Sequence, residues 1–254
     1  MSRDPGEAFR GSVEEGERRS GRSWPALIAT GAVGGIDVAA GVLALFLVRH
    51  VGGNELVSSL AFSIGFIVLG LAGSELFTEN FLVPLTAMAA HRVRAWQVGR
   101  LWATTLVMNL AGGWLVMALI MNGLPELDRQ AQHLAVRFVA YGTEWRAFAS
   151  AMVAGMLLTL MTWIEHTSPG VGSKVTASLV IGFLIAIGHL NHIVVSSLEM
   201  FGALQGHARF GYLDWAATMG WAGLGNLVGG IGLVTIVRLV EAGAHTIRTT
   251  RRRS

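Results

Sequence analysis

Gly188-His189-Leu190-Asn191-His192-Ile193-Val194-Val195-Ser196-Ser197 interrupts an apolar segment that runs from about residue 175 to 201. Two histidines, an asparagine and two serines have no place against lipid tails. Inside a bilayer such groups must line a protein interior or a wet path. The fold turns on whether this segment crosses a membrane, and the rest of the chain bears on that.

Of 254 residues, 52% are hydrophobic and 14% are charged, against about 25% charged in soluble domains. The charges gather at the two ends and in a few loops. This pattern implies an all-α, multi-pass membrane protein whose surroundings are a lipid bilayer. Lys174 is the single lysine, and arginines carry the remaining positive charge. No basic groove with interleaved aromatics accompanies them, so no nucleic-acid partner is expected and the arginines serve as topology signals. The absence of cysteine excludes disulfides and thiol chemistry. Arg3, Asp4, Glu7, Glu14, Glu15 and Arg18 make the N-terminus too charged for a secretory signal.

Residues 1–23 mix charge, glycine and serine without apolar periodicity, which predicts a mobile tail. Residues 24–240 hold six apolar segments. The first begins at Pro25, a favoured helix-starting position, and reaches Val48. The second, Leu56 to Ala90, exceeds the ~20 residues of a simple span. It is broken by Gly73-Ser74-Glu75-Leu76-Phe77-Thr78-Glu79-Asn80 and Pro84. The third covers Leu101 to Ile120, the fourth Ala147 to Ile164, and the fifth holds the opening stretch. The sixth covers Leu213 to Val240, and a basic tail, 241–254, follows. Six spans put both termini on one side. That side receives fourteen of the arginines and lysines and the other side five, which places both termini in the cytoplasm of a bacterial inner membrane.

Asn109-Leu110-Ala111-Gly112-Gly113 in the third span returns as Asn226-Leu227-Val228-Gly229-Gly230 in the sixth, offset by 117 residues. The same offset sets Glu75 opposite His192, so the two broken spans correspond. Three spans per half is an odd number, so the halves lie inverted. An inverted 3+3 repeat with broken second and fifth spans points to a binding site at the membrane midplane.

From Ser74-Glu75-Leu76-Phe77-Thr78-Glu79-Asn80 onward the sequence resembles the formate–nitrite transporter family. The stretch His189-Leu190-Asn191-His192 is similar to that family's fifth-span break. Ser173-Lys174 stands where a Gly-Lys pair precedes it, and Trp163 lies eleven residues before the lysine. Asn109 and the run Asn226–Gly230 resemble the third and sixth spans, and the resemblance covers about residues 24–240. It implies an aquaporin-like six-span bundle assembled as a homopentamer with one pore per protomer. It implies passage of small monovalent anions, such as formate or nitrite, together with a proton. The family's central histidine falls on His192 and its loop threonine on Thr78. Its apolar constrictions fall on Phe62, Phe66, Leu76, Phe77, Leu158 and Ile185.

The chain departs from the family at several points. Gly155 stands where an asparagine is frequent, Asn191 where an acid precedes the histidine, and Glu79 where a small residue follows the threonine. An acid at position 79 disfavours anions. Asp37 is intramembrane, hence functional by default, although a bond to another span explains it equally. Glu75 is expected to fix its loop through backbone N–H groups, with Asn191, Ser196 and His189 as supporting polar residues. Gly31 and Gly35 have the spacing of close helix packing.

An anion losing water in a narrow pore faces a large desolvation cost. The interior N-termini of broken helices lower it, and His192 can supply a proton because imidazole titrates near ~6.5. Zinc needs three or four ligands. Asp37, Glu75 and Glu199 would complete such a set with the histidines only on paper, so neither metal nor cofactor is expected. No His-Glu-x-x-His or Gly-x-Ser-x-Gly occurs, which argues against an enzyme. The alternatives are a neutral-solute pore, weakened by the absence of any Asn-Pro pair, and a transport-inactive protein of the same fold.

Overall fold

The computed structural model describes residues 5–168, 170–241 and 243. Regular structure among the described residues is entirely helical. In chain order the helices are α1 (Pro5–Ser20), α2 (Trp24–His50), α3 (Glu55–Ala72), α4 (Val83–Ala89) and α5 (Ala95–Gly123). They continue with α6 (Asp128–Tyr141), α7 (Trp145–Thr167), α8 (Val171–Ile187), α9 (Ile193–Gln205) and α10 (Tyr212–Leu227). A 3-10 turn, Phe77–Phe81, precedes α4, and α10 continues through a π-helical stretch, Val228–Thr235, to Glu241.

Helices α2, α3, α5, α7 and the extended α10 are each long and apolar enough to cross a membrane. The remaining crossing is made by α8 and α9, shorter apolar helices joined through residues 188–192. Local signals set the ends. Ser23 and Pro25 open α2, and the Asn54 side chain accepts the Val57 N–H at the start of α3. Trp24, Trp96 and Trp145 are exposed at the beginnings of three long helices, where amphipathic rings suit the membrane–water boundary. Val107, Leu119 and Val237 are exposed on the helix flanks, a surface suited to lipid or to neighbouring subunits.

Residues 5–20, expected as a mobile tail, are helix α1 instead. Its buried face is Ser12, Gly16 and Ser20, a four-residue repeat of small side chains rather than apolar ones. That stripe packs on α4, and its lack of large hydrophobes hid it from a search for apolar periodicity. Glu15 binds Arg18 and Arg19 at 2.6 Å each, the helical spacing at which opposite charges support a short helix. The basic C-terminal tail lies, beyond residue 243, outside the described residues.

Two asparagines do the same work in the two halves. Asn109 Nδ2 donates to the carbonyls of Gly31 (2.7 Å) and Glu75 (2.9 Å), and its Oδ1 accepts the Phe77 N–H at 2.9 Å. Asn226 Nδ2 donates to the carbonyls of Ala151 (2.8 Å) and Asn191 (3.0 Å), and its Oδ1 accepts the Ile193 N–H at 2.9 Å. The inverted repeat is therefore present in the hydrogen bonding itself. One expectation is corrected: 117 residues separate the asparagines, but 116 separate the breaks they hold. Glu75 corresponds to Asn191, and the counterpart of His192 is Leu76.

The span crossings repeat as well. A Cβ on Gly35 would lie 2.0 Å from the Asn109 carbonyl oxygen, and one on Gly155 would lie 2.1 Å from that of Asn226. Gly155 thus lets the sixth span reach its place beside the second break, and no side chain fits there. Gly155→Ala is expected to lower stability by about 1–3 kcal/mol through overpacking. Gly99→Ala, with no atom within 4 Å of the new Cβ, should be neutral or slightly stabilising. Thermal unfolding of both variants in one detergent checks this, and equal behaviour would exclude the crossing as the reason for the glycine.

Candidate functional site

The two breaks meet in the interior. Thr78, in the 3-10 turn, and His192, the N-cap of α9, are both fully buried. Thr78 Oγ1 lies 2.8 Å from His192 Nε2. His192 Nδ1 accepts the Val195 N–H at 3.2 Å. A neutral imidazole that accepts at Nδ1 carries its hydrogen on Nε2, so Nε2–H donates to the threonine. The Thr78 hydroxyl then keeps its own hydrogen to donate.

Apolar side chains surround this pair. Phe62 and Phe66 stand edge to face at 5.4 Å, and Phe77 and Phe81 at 4.9 Å. Leu76, Leu158 and Ile185 are buried in the same continuous cluster. The C-terminal end of the 3-10 turn is pinned from outside. Trp102 Nε1 donates to the Asn80 carbonyl and Thr235 Oγ1 to that of Phe81, each at 2.8 Å. Thr235 closes the π-helical stretch, and nothing in the sequence distinguishes it from other interior threonines.

The remaining polar candidates separate into three places. Asp37 accepts a hydrogen bond from Ser74 and so ties α2 to the first break. Asn191 spends its backbone on the repeat, its N–H going to Ser150 Oγ at 3.1 Å and its carbonyl to Asn226. The side-chain oxygens of Asn191 and Ser196 are buried without a protein partner. His189 is apart from the central pair. It is partly exposed, pairs with Glu55 at the start of α3, and has a left-handed backbone (φ 46°). Gly73 occupies the corresponding position of the first break with φ 69°.

Glu75 does not bond backbone N–H groups with its carboxylate, contrary to expectation. It is 1% exposed and pairs with Arg22 at 2.5 Å and Arg19 at 3.3 Å. Burial of a carboxylate demands a cation, and α1 and the turn after it supply two. Arg100 holds that turn through the carbonyls of Ser20 (2.8 Å) and Arg22 (2.7 Å). Glu79 takes the role expected of Glu75, its Oε2 accepting the Leu76 N–H at 3.2 Å. Beneath α1 lies a cavity of about 250 Å³ lined by Glu15, Arg19, Glu75, Glu79, Glu165 and Lys174, among others.

The family profile described as Formate/nitrite transporter matches residues 6–240. Inner membrane protein YfdC of Escherichia coli K12 is 28% identical over 220 residues, covering 82% of this chain and 66% of that relative, just under two thirds of its length. Formate channel BtFdhC of Bacillus thuringiensis is 26% identical, with 87% of this chain and 89% of the relative covered. Among solved structures, an FNT family ion channel superposes with a TM-score of 0.86 at 18% identity, over 92% of this chain and 98% of that one. A pentameric formate channel with formate bound gives 0.68 at 18% identity, over 86% and 98%. The broken-span bundle described above is the fold of those channels.

The clamp of α1 over the Glu75 cavity has a pH signature. Burial pushes the Glu15 carboxyl up, but the hydrogen bonds and charges of Arg18 and Arg19 outweigh it and hold it at about 2 instead of 4.5. A depressed carboxyl stabilises the folded state above its unfolded pKa and loses that contribution as the pH falls through the folded one. Protection of α1 amides against hydrogen exchange should therefore hold above pH 4.5 and decline toward about 2. Glu15→Gln should show the lower protection throughout; identical profiles for the two proteins would refute the assignment.

Proposed function

The chain belongs to the formate/nitrite transporter family, and on that footing we propose that it passes small monovalent anions of the formate and nitrite kind, with a proton. It does so as a channel or secondary transporter. The observation that carries this reading is the contact of Thr78 with His192 between the two broken spans, inside an apolar enclosure. An anion entering the enclosure loses water. The Thr78 hydroxyl offers a replacement donor, and the positive end of the α9 dipole favours the negative charge. A proton delivered by way of His192 would convert the anion to its neutral acid, which crosses the rings of Phe62, Phe66, Leu76, Phe77, Leu158 and Ile185 at lower cost. The Val195 N–H at Nδ1 sets the tautomer, so that the proton sits on Nε2, and Thr78 holds that side of the ring toward the first break.

The relative solved as a pentamer supports five copies in the assembly, each with its own path. The excess of arginine on the side of the termini supports a cytoplasmic placement of both ends and an outer position for His189 and Glu55. Glu75 acts structurally in this scheme, holding α1 across the inner mouth. Asp37, through Ser74, and Asn191, through Asn226, hold the breaks in register.

The test is counterflow of radiolabelled formate, nitrite, hydrosulfide, acetate and lactate in proteoliposomes at two pH values. The wild-type chain should carry at least formate or nitrite, faster at the lower pH. His192→Phe should abolish the pH dependence and slow flux about a hundredfold, the lower range for loss of a proton-transferring group. Unchanged proton-coupled uptake of every weak acid in His192→Phe would falsify the role of the histidine. Absence of flux in the wild type would favour a transport-inactive protein of this fold.

A further inference from the structure

Glu79 follows Thr78 directly, and a fixed negative charge there opposes an approaching anion. Its surroundings change that expectation. Glu79 is 5% exposed and receives one hydrogen bond, from the Leu76 N–H. Glu165, on α7, lines the same cavity, and its Oε1 is buried with no partner. Glu75 Oε2, in a side chain 1% exposed, also lines the cavity without a partner. Among the described residues no ion pair reaches Glu79 or Glu165.

The cations nearby are committed elsewhere. Arg18 and Arg19 bind Glu15, and Arg19 and Arg22 bind Glu75. His166, on the same wall, is bonded through Nδ1 to the Thr162 carbonyl at 2.7 Å. Lys174 Nζ donates to the Gly70 carbonyl at 3.2 Å and is the remaining lysine or arginine lining the cavity. Two carboxyls thus face one ammonium that bonds neither of them. A buried carboxylate without a counter-ion costs several kcal/mol, and the relief open to it is a proton. Carboxylate oxygens that lack donors around one cavity call for an O–H group, and one proton on the pair provides it. The pair then carries a single negative charge beside Lys174.

We propose that Glu79 and Glu165 form a shared-proton carboxyl pair at the inner mouth, which accepts the proton of a weak acid leaving the His192 enclosure. The direction of that transfer rests on the transport reading above, whereas the existence of the pair rests on the cavity. In the step, the O–H bond of the acid breaks and its electron pair stays on the substrate oxygen, leaving the anion. The proton bonds a carboxylate oxygen of the pair. The pair later yields a proton to cavity water and regains its charge. Outward passage is the reverse. The substrate class is accordingly that of anions with weak conjugate acids, such as short carboxylates, nitrite and hydrosulfide. Chloride and nitrate, whose acids are strong, gain nothing from the pair.

The full-length chain serves for the test, as wild type, Glu79→Gln, Glu165→Gln and the double variant. Glutamine at 79 keeps an oxygen for the Leu76 N–H, so the turn should fold. In infrared spectra recorded as a function of pH, the wild type should show a protonated-carboxyl band that each single variant perturbs and the double variant loses. In proteoliposomes the double variant should carry formate on the order of tenfold more slowly and lose its dependence on internal pH. It should leave the formate-over-chloride preference weaker. A band unchanged in the double variant overturns the pair, and an unchanged dependence on internal pH overturns its part in the proton transfer. The two readings remain separable, because His192→Phe flux tests the histidine and the infrared band tests the pair in protein that is not transporting.

Discussion

Backbone groups inside a bilayer have no water to turn to, and every break in a spanning helix releases several of them. The structure meets much of this constraint with one asparagine at each break. Asn109 and Asn226 each serve a carbonyl of the first span of their half, a carbonyl of the break and the first N–H beyond it. An amide is suited to the task because it has two donors and an acceptor in one rigid plane. Each unsatisfied group would cost about 1–3 kcal/mol. With them satisfied, Thr78 keeps its hydroxyl for His192, and His192 needs to serve only the Val195 N–H with Nδ1, which leaves Nε2 facing the first break.

Electrostatics divides the molecule more sharply than shape does. The central pair is uncharged in its resting form and set among phenylalanines and aliphatic side chains. Ion pairs lie on either side of it. At one mouth Arg19 and Arg22 answer Glu75, and at the other His189 answers Glu55. A waist lined by apolar side chains opposes a bare charge, because the Coulomb and desolvation terms are both largest where the dielectric is lowest.

Much of this was legible in the sequence, and the exceptions have physical reasons. Polar residues in apolar segments gave away both breaks, since lipid leaves them no exposed role. The Asn-Leu-x-Gly-Gly repeat gave the inversion. The register of the repeat was off by one because a fixed offset ignores the residue gained between break and clamp, and contacts alone reveal it. Helix α1 was missed because Ser12, Gly16 and Ser20 make a small-residue seam with no hydrophobic signal. The partners of Glu75 were missed for a related reason. A salt bridge between Arg22 and Glu75 is fixed by tertiary placement, and no local pattern encodes it. The isolation of Glu79 and Glu165 from counter-ions is likewise a property of the folded cavity.

His189 carries a consequence for how the protein can move. Its left-handed backbone, where glycine serves in the other half, costs on the order of 1 kcal/mol and directs the imidazole to Glu55. That contact joins the second half to the first. Along the same pair of helices Ser63 Oγ donates to the Leu179 carbonyl at 3.0 Å, and Lys174 reaches the Gly70 carbonyl. The halves are therefore stitched along the length of α3 and α8, from one membrane face to the other. Rocking one half against the other would shear every stitch at once. Movement of the halves as rigid bodies is thereby opposed along the whole seam, whereas rotation of single side chains within this frame disturbs none of these contacts.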